Sequence, residues 1–141
     1  MMNDRLKFRV WDKGNEHYVD CADMLYIEPS GEITYACYDG DREDMYYYEQ
    51  NDVVIEQCTG LKDKNGKLIF EGDIVSTTLS DGSKFKHIIR WYDGRFIADY
   101  GWYYHKEFED YCSISQEWIS KKEIIGNIHE NHDLLEQSND D

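Results

Sequence analysis

The sequence predicts an α+β, mostly β fold in which short N-terminal strands pack on a small SH3-like β-barrel and a short helix follows at the C-terminus. Three observations favour this class. Short segments of alternating apolar and polar residues recur along the chain, and hairpin dipeptides separate several of them. The 141 residues are enough to bury a core without disulfides. Twelve tyrosines and four tryptophans bury large areas, which argues against disorder in a chain of net charge -15.

We expect one domain over residues 1–141, with a β-rich N-terminal part at about residues 1–56 and a barrel-like part with the C-terminal helix at about residues 57–136. Residues 6–11 (LKFRVW) alternate apolar and basic side chains, the pattern of a half-buried strand. Further short strands are predicted at about residues 16–20, 24–27 and 32–35.

The segment from Thr59 to Val75 combines turn and strand chemistry more densely than any other, and we interpret it as the structural hub. An apolar strand at residues 53–58 leads into it. Asn65-Gly66 is expected to take positive φ at both central positions of a type I′ turn. Gly72 is expected to form a corner before the next strand.

Two hairpin dipeptides after the hub predict a three-stranded antiparallel meander, which curls into the barrel when more strands join it. A two-residue turn at Asp93-Gly94 sets Trp91 opposite Phe96 and Ile89 opposite Ala98. All four apolar residues then share one face, so the turn and the hydrophobic pattern agree.

A two-residue turn at Asp81-Gly82 likewise sets Ile74 opposite Ile89 and Thr78 opposite Phe85. The following side chains are then expected to form the barrel core: Phe70, Ile74, Phe85, Ile89 and Trp91.

The C-terminal third predicts one more strand and one short helix. Residues 122–128 form the strand, in which Gly126 allows a bulge or a close backbone contact. Asn131 is expected to be the N-cap of the helix. Two segments stay open: residues 38–52, a tyrosine run among carboxylates, and residues 101–120, whose aromatics fit a helix as well as a strand.

The net charge of -15 disfavours ordinary nucleic-acid binding, because phosphates repel so acidic a chain at long range. The charge indicates either plain solubility or an acidic surface that mimics nucleic acid or docks on a basic partner. The four cysteines are widely separated without a C-x-x-C pair, which favours reduced thiols. No signal peptide or membrane-spanning run is recognisable, so we expect a cytoplasmic protein without membrane association.

Few residues suggest chemistry. The hub carboxylates Asp63, Glu71 and Asp73 are candidates for an acid/base pair, although turn and edge roles are the favoured interpretation. His129 and His132, with Asp133 nearby, are residue types that bind metals. No third ligand lies at a recognisable spacing from the two histidines. We therefore expect no catalytic residue, no cofactor, no metal and no enzyme activity.

Two surfaces are candidates for partner binding. The tyrosine run is interpreted as a loop or edge strand, or as a recognition surface because tyrosine gives contact area at low entropic cost. That candidate protein-partner surface comprises Asp41, Asp44, Tyr46, Tyr47 and Tyr48. A basic edge at Lys62, Lys64 and Lys67 is the alternative, a nucleic-acid surface. It could be extended by Lys84, Lys86, Arg90, Trp91 and Tyr92.

Three blocks of this sequence, in the same order, resemble the YopX family: Lys7–Asp12, Thr59–Val75 and Glu123–Asn131. The chain departs from that pattern at Cys58, where an aromatic residue is common, and at His132, where a proline is common. The resemblance implies a small β-rich protein encoded by a phage or prophage in a bacterial host. It implies no established activity and no catalytic residues.

The resemblance also supports an architectural role for four glycines of the shared blocks: Gly60, Gly66, Gly72 and Gly126. From the sequence we therefore expect a phage or prophage accessory protein that acts as a non-catalytic protein-interaction module. Homo-oligomers are expected because strand edges and aromatic side chains offer self-complementary surfaces. The alternative is a weak nucleic-acid-binding β-barrel that uses the basic edge.

Overall fold

The computed structural model describes residues 6–19, 25–27, 29–30, 33–38, 45–48, 52–99 and 111–136. These residues contain mostly antiparallel strands and two short helices, so the predicted α+β, mostly β class is confirmed. The chain divides into two compact units, Phe8–Glu56 and Gln57–Asp141 with Met1–Lys7. In the part of the chain that the structure describes, no helix is long and apolar enough to cross a membrane.

The unit Phe8–Glu56 is built from short strands. They are β1 (Phe8–Asp12), β2 (His17–Tyr18), β3 (Leu25–Ile27), β4 (Ile33–Tyr38), β5 (Met45–Tyr48) and the start of β6 (Val53–Lys62). β1 lies between β2 and β6 in one sheet, and the other sheet has the order β3-β4-β5. These positions agree with the strands predicted before residue 38, and the tyrosine run, which the sequence left unassigned, contains β5.

Buried Glu56 holds the first of these sheets together. Its Oε1 atom accepts hydrogen bonds from Arg9 Nε and from the Tyr18 hydroxyl, both at 2.8 Å. The Arg9 guanidinium also lies 4.7 Å from the centre of the Tyr18 ring. A buried carboxylate with two donors, one of them cationic, meets the requirement that a buried charge be paired.

The other unit contains the end of β6, seven more elements and a C-terminal helix. They are β7 (Leu68–Phe70), β8 (Asp73–Thr78), β9 (Lys84–Tyr92), β10 (Arg95–Asp99), β11 (Tyr111–Ser113), α1 (Gln116–Ile119), β12 (Glu123–Asn127) and α2 (His132–Glu136). β7 pairs with β6, and the other strands form an antiparallel sheet of order β11-β10-β9-β8-β12 that curves like half of a barrel. The fully buried core cluster consists of Ile69, Val75, Ile89, Ala98 and Ile119.

The register of the β9–β10 hairpin is confirmed. Trp91 lies opposite Phe96, and Ile89 lies opposite Ala98. Asp93 and Gly94 both have positive φ, 53° and 79°, which is the type I′ geometry that the dipeptide predicts.

The predicted register of β8 against β9 is wrong by one residue. Ile74 pairs with Ile88 rather than Ile89, and Thr78 pairs with Lys84 rather than Phe85. The reason is the turn, which has three residues between a closing pair: Leu79 N donates to Ser83 O at 2.7 Å, and Gly82 N donates to Leu79 O at 3.0 Å. Gly82, at φ 87°, takes the left-handed position of this longer turn.

The type I′ turn predicted for Asn65-Gly66 is wrong for the same reason. Gly66 has φ 80°, but among the described residues other than glycine only Glu16 and Asp93 have positive φ, so Asn65 does not. Asp63 N donates to Lys67 O at 2.9 Å, and Gly66 N donates to Asp63 O at 3.0 Å. The hub therefore also turns through three residues.

The predicted core is partly wrong. Ile74 and Ile89 are fully buried, whereas Trp91 is 53% exposed and packs edge-to-face on Phe96 with ring centres 4.8 Å apart. Buried and exposed residues do not alternate strictly along β9. Its middle is buried on both faces, since Ile88 is buried as well as Ile89, and its end, which carries Trp91, extends past the core. The two predicted core phenylalanines, Phe70 and Phe85, are half-buried.

Gly126 confirms the expectation of a bulge and a close contact. The pairing of β12 with β8 shifts between Ile124 and Gly126. A Cβ atom at Gly126 would lie 2.5 Å from Asn131 Oδ1, which accepts a 3.0 Å hydrogen bond from Asn127 N. Asn131 occupies the position predicted for the N-cap, directly before α2, and its side-chain oxygen bonds back to Asn127 N, which fixes the turn between the strand and the helix.

We predict that Gly126→Ala destabilises the protein by about 1–3 kcal/mol, because the added methyl group forces the Asn131 side chain to move. The measurement is guanidinium unfolding of four proteins: the parent, Gly126→Ala, Asn131→Ala and the double variant. The double variant should be less destabilised than the sum of the single ones, because Asn131→Ala removes most of the obstructing atoms. Gly14→Ala, whose Cβ would meet its nearest neighbour at an ordinary 3.5 Å, is the matched control. Strict additivity would contradict the contact.

Candidate functional site

The tip of the β6–β7 hairpin is organised by one buried carboxylate. Asp63, 5% exposed, accepts through Oδ1 from the backbone N–H groups of Asn65 and Lys67, both at 2.9 Å. Its Oδ2 accepts from Ile124 N at 3.0 Å. The same side chain therefore shapes the hub turn and binds it to the start of β12, while Lys62, Lys64 and Lys67 remain exposed on the hairpin.

Two further contacts join this hairpin to α1 and to the turn that follows it. The Gln116 side chain pairs with the backbone of Lys62, donating to its O at 2.9 Å and accepting from its N at 3.2 Å. Lys64 N donates to Lys122 O at 2.9 Å. Lysines from two distant stretches of sequence thus lie beside one another. We call the set Lys62, Lys64, Lys67, Lys121 and Lys122 the lysine patch; its members are exposed except Lys122, which is 8% exposed.

A cleft of ≈ 330 Å³ opens within this region. It is lined by Ser115, Glu117, Trp118, Lys121 and Lys122. Ser115 is the N-cap of α1, and its hydroxyl oxygen accepts from Trp118 N at 3.2 Å, which fixes the first turn of the cleft wall.

Trp118 is the aromatic wall of the cleft. Lys122 Nζ lies 4.5 Å from the centre of its ring, a cation–π distance, and the His87 ring meets it edge-to-face at 5.4 Å. Burial, and after it the nearby Lys122 charge, lowers the pKa of His87 to about 4, while Asp99 acts in the opposite direction. His87 is therefore neutral near pH 7 and packs against the Trp118 ring as an uncharged group.

The lysine patch is a local excess of positive charge in an acidic protein. It holds five of the chain's fifteen lysine and arginine residues. The acidic residues among these lysines are Asp63, which is buried, Glu117 and Glu123. Glu123 lies 3.5 Å from Lys64 Nζ, and both side chains are about half-exposed, so this pair contributes little to stability.

The residues proposed to extend the basic edge have other contacts. Lys86 Nζ donates to Leu134 O at 3.4 Å, and Arg90 forms a 3.0 Å ion pair with Asp99. Lys84 is exposed and pairs with Thr78 at the end of the β8–β9 hairpin. The residues that sequence reasoning missed, above all Trp118, Lys121 and Lys122, lie around α1, where no periodic signal distinguished a helix from a strand.

The candidate protein-partner surface is only partly visible. Asp41 and Asp44 lie outside the described residues. Tyr46, Tyr47 and Tyr48 belong to β5, which pairs on one side with β4 and is the last strand of its sheet among the described residues.

The hub carboxylates accept backbone hydrogen bonds. Besides Asp63, Asp73 Oδ2 accepts from Phe70 N at 2.8 Å, and Glu71 Oε1 accepts from Gln57 N at 3.0 Å. These contacts are the ones expected for carboxylates with roles in turns and at strand edges. Among the described residues no three His, Cys, Asp or Glu side chains are grouped to hold a metal ion.

Fold and site together define a mostly β protein with two antiparallel units and a lysine-rich hairpin on the second. The family model described as YopX protein matches residues 7–136, and the chain belongs to that family. None of the curated proteins matches the chain.

Two solved structures are similar to this chain. Protein EF1440 from Enterococcus faecalis is 28% identical, with a TM-score of 0.60 over 92% of this chain and 97% of that one. Protein yopX from Bacillus subtilis is 24% identical, with a TM-score of 0.64 over 96% of this chain and 100% of that one, and supports the fold alone.

We predict that His87 makes the protein less stable in acid. Because its pKa is lowered from 6.5 to about 4 in the folded state, the unfolded chain binds the proton more readily between these values. The free energy of unfolding should therefore fall as the pH drops from about 6.5 towards 4, by up to about 3 kcal/mol from this group. Denaturant unfolding at several pH values should show a shallower pH dependence for His87→Gln. His17→Gln, at an exposed histidine, is the control, and equal slopes in all three proteins would refute the assignment.

Proposed function

We propose that this chain is a phage- or prophage-encoded accessory protein that acts in the bacterial cytoplasm as a non-catalytic protein-interaction module. The observation that carries the proposal is the use of the polar side chains in the shared family blocks. Asp63, Asp73 and Asn127 each accept hydrogen bonds from backbone N–H groups. Their chemistry serves the architecture, which leaves partner binding to the surfaces.

The β5 strand is the surface that best fits a protein partner. An edge strand presents backbone N–H and C=O groups that another strand can pair with, and tyrosine side chains add contact area. The surrounding carboxylates and the net charge of -15 favour a basic partner, whose approach such a charge accelerates at low salt. A second copy can use the same edge, which supports the expectation of homo-oligomers.

We predict that one of the two variants Tyr46→Pro and Tyr47→Pro abolishes partner binding and leaves the fold intact. Tyr46 and Tyr47 are consecutive in β5, so one directs its N–H toward β4 and the other away from it. Proline at the residue whose N–H points away from β4 removes only a donor that β4 does not use. Proline at the residue whose N–H points toward β4 removes a hydrogen bond between the two strands. The readouts are thermal unfolding, and capture from host lysate at low and at high salt with the protein as bait.

The expected result is a basic captured protein that is lost at high salt and lost with the stably folded proline variant. Light scattering of the same variants over a concentration series reports whether the edge also joins copies of the chain. Unchanged capture by both proline variants would exclude β5 as the docking edge.

The assembled lysine patch favours a second candidate function, weak nucleic-acid binding. The sequence placed Lys62, Lys64 and Lys67 on one hairpin, and the contact of Lys64 N with Lys122 O adds a second lysine pair beside them. Grouped lysines without a fixed fork geometry suit contact with phosphate oxygens rather than reading of bases.

For this function we predict that Lys64→Glu weakens retention of single-stranded DNA or RNA in a gel shift by at least about tenfold, because it replaces an attractive charge with a repulsive one. Lys13→Glu makes the same charge change at an exposed lysine of the other unit and should have little effect. If both variants bind as the parent does, or if the parent retains no nucleic acid at low salt, this second function is wrong.

A further inference from the structure

We propose that the cleft beside α1 and the lysine patch form one continuous track for a single-stranded nucleic acid, in which the cleft takes one nucleotide and the lysines hold the neighbouring phosphates. The proposal rests on the second candidate function and adds a specific site, Trp118 with exposed Lys121 and largely buried Lys122, to the exposed lysines of the hairpin.

The hairpin and the cleft are joined through the protein backbone. The hairpin backbone is hydrogen-bonded to the turn that carries Lys121 and Lys122, through Lys64 N and Lys122 O at 2.9 Å. Gln116, at the start of α1, pairs with both backbone groups of Lys62. These contacts place the hairpin beside the cleft, so one strand of nucleic acid that binds in the cleft has its neighbouring phosphates close to the hairpin.

The lining of the cleft suits one nucleotide. A volume of ≈ 330 Å³ lies at the lower end of the range for small-molecule sites, which suits a single nucleoside rather than a folded ligand. Trp118 supplies an aromatic wall for a base or a sugar, and its ring also carries the ammonium group of Lys122, which is only 8% exposed. The exposed cation of the lining is Lys121, which lies in the same cleft as Glu117. An aromatic wall beside an exposed cation is the combination that proteins use to bind single-stranded nucleic acids without sequence preference.

The cleft also distinguishes single strands from duplexes. In a duplex the bases are paired and stacked inside the helix, so a cleft can receive a base only from a single strand or by unstacking. A cleft with an aromatic wall next to a lysine patch therefore selects single strands over duplexes, whereas the lysines alone would accept either.

The net charge of -15 weakens this binding without preventing it. At physiological ionic strength charges are screened over about 8 Å, so a phosphate in contact with the patch interacts mainly with the patch. Distant carboxylates act mostly on the rate of approach, which should be slow at very low salt.

The test uses the full chain and a fluorescently labelled oligothymidylate of about ten nucleotides, long enough for one small β-barrel site. Fluorescence anisotropy is recorded at several salt concentrations for the parent, Lys121→Gln, Trp118→Phe and Lys13→Gln. Lys121 and Lys13 are both exposed, so the two glutamine variants keep the fold and differ only in the place where the charge is lost. Unlabelled duplex DNA and polyglutamate of similar length are the competitors.

We expect Lys121→Gln to weaken binding several-fold and to reduce the steepness of log K against log salt by about 0.7, the value for one phosphate contact on a single strand. Trp118→Phe should reduce the quenching of tryptophan fluorescence by the unlabelled oligonucleotide, which a lysine-only surface would not require. Lys13→Gln should behave as the parent does. Polyglutamate and duplex should compete poorly.

Three results would overturn the proposal. In the first, Lys121→Gln and Trp118→Phe bind the oligonucleotide as tightly as the parent does, and Lys64→Glu does not bind it. The hairpin then binds nucleic acid without the cleft, so the second candidate function survives and this inference fails. Competition by polyglutamate as strong as by the oligonucleotide would identify an acidic-peptide surface. No binding to the parent at low salt would remove both this inference and the second candidate function.

Discussion

The three backbone hydrogen bonds accepted by Asp63 are the interaction on which the second unit's surface depends. Buried N–H groups need a partner, and a three-residue turn leaves several of its own unpaired. One carboxylate meets that need for Asn65 and Lys67 at the turn and for Ile124, the second residue of β12. Because Asp63 is bonded to both segments, the lysines on either side are held in fixed relative positions by backbone rather than by contacts of their own.

The same use of polar side chains recurs through the family blocks. Asp73 accepts from Phe70 N where β7 passes into β8, and Asn127 accepts from His129 N and Glu130 N where β12 ends. Each is a short polar side chain that replaces a missing backbone partner at a corner. The abundance of acidic residues near the hub, which invites an acid/base interpretation, is thus explained by turn construction.

Local sequence signals correctly predicted several features that depend on backbone conformation. The type I′ dipeptide gave the correct β9–β10 register, and the lone glycine in β12 marked both the bulge and the close approach of Asn131. Asp81-Gly82 was misread because the same dipeptide also ends a three-residue turn with glycine in the left-handed position, and sequence spacing does not distinguish the two. Trp91 was placed in the core because alternation indicates a face but not where along the strand the core ends.

The candidate site was harder to predict because it is assembled from separate segments. The hairpin lysines were visible as a group, whereas Lys121, Lys122 and Trp118 join them only through the Lys64–Lys122 and Gln116–Lys62 backbone contacts. A basic tail keeps its charge density when the chain unfolds, but this patch does not, since unfolding separates its two halves by more than fifty residues of acidic sequence. Ligand binding at the patch should therefore favour the folded unit and raise its stability by mass action. A chain so acidic overall can in this way present positive charge only on its folded surface, and only over the short distances at which contact is made.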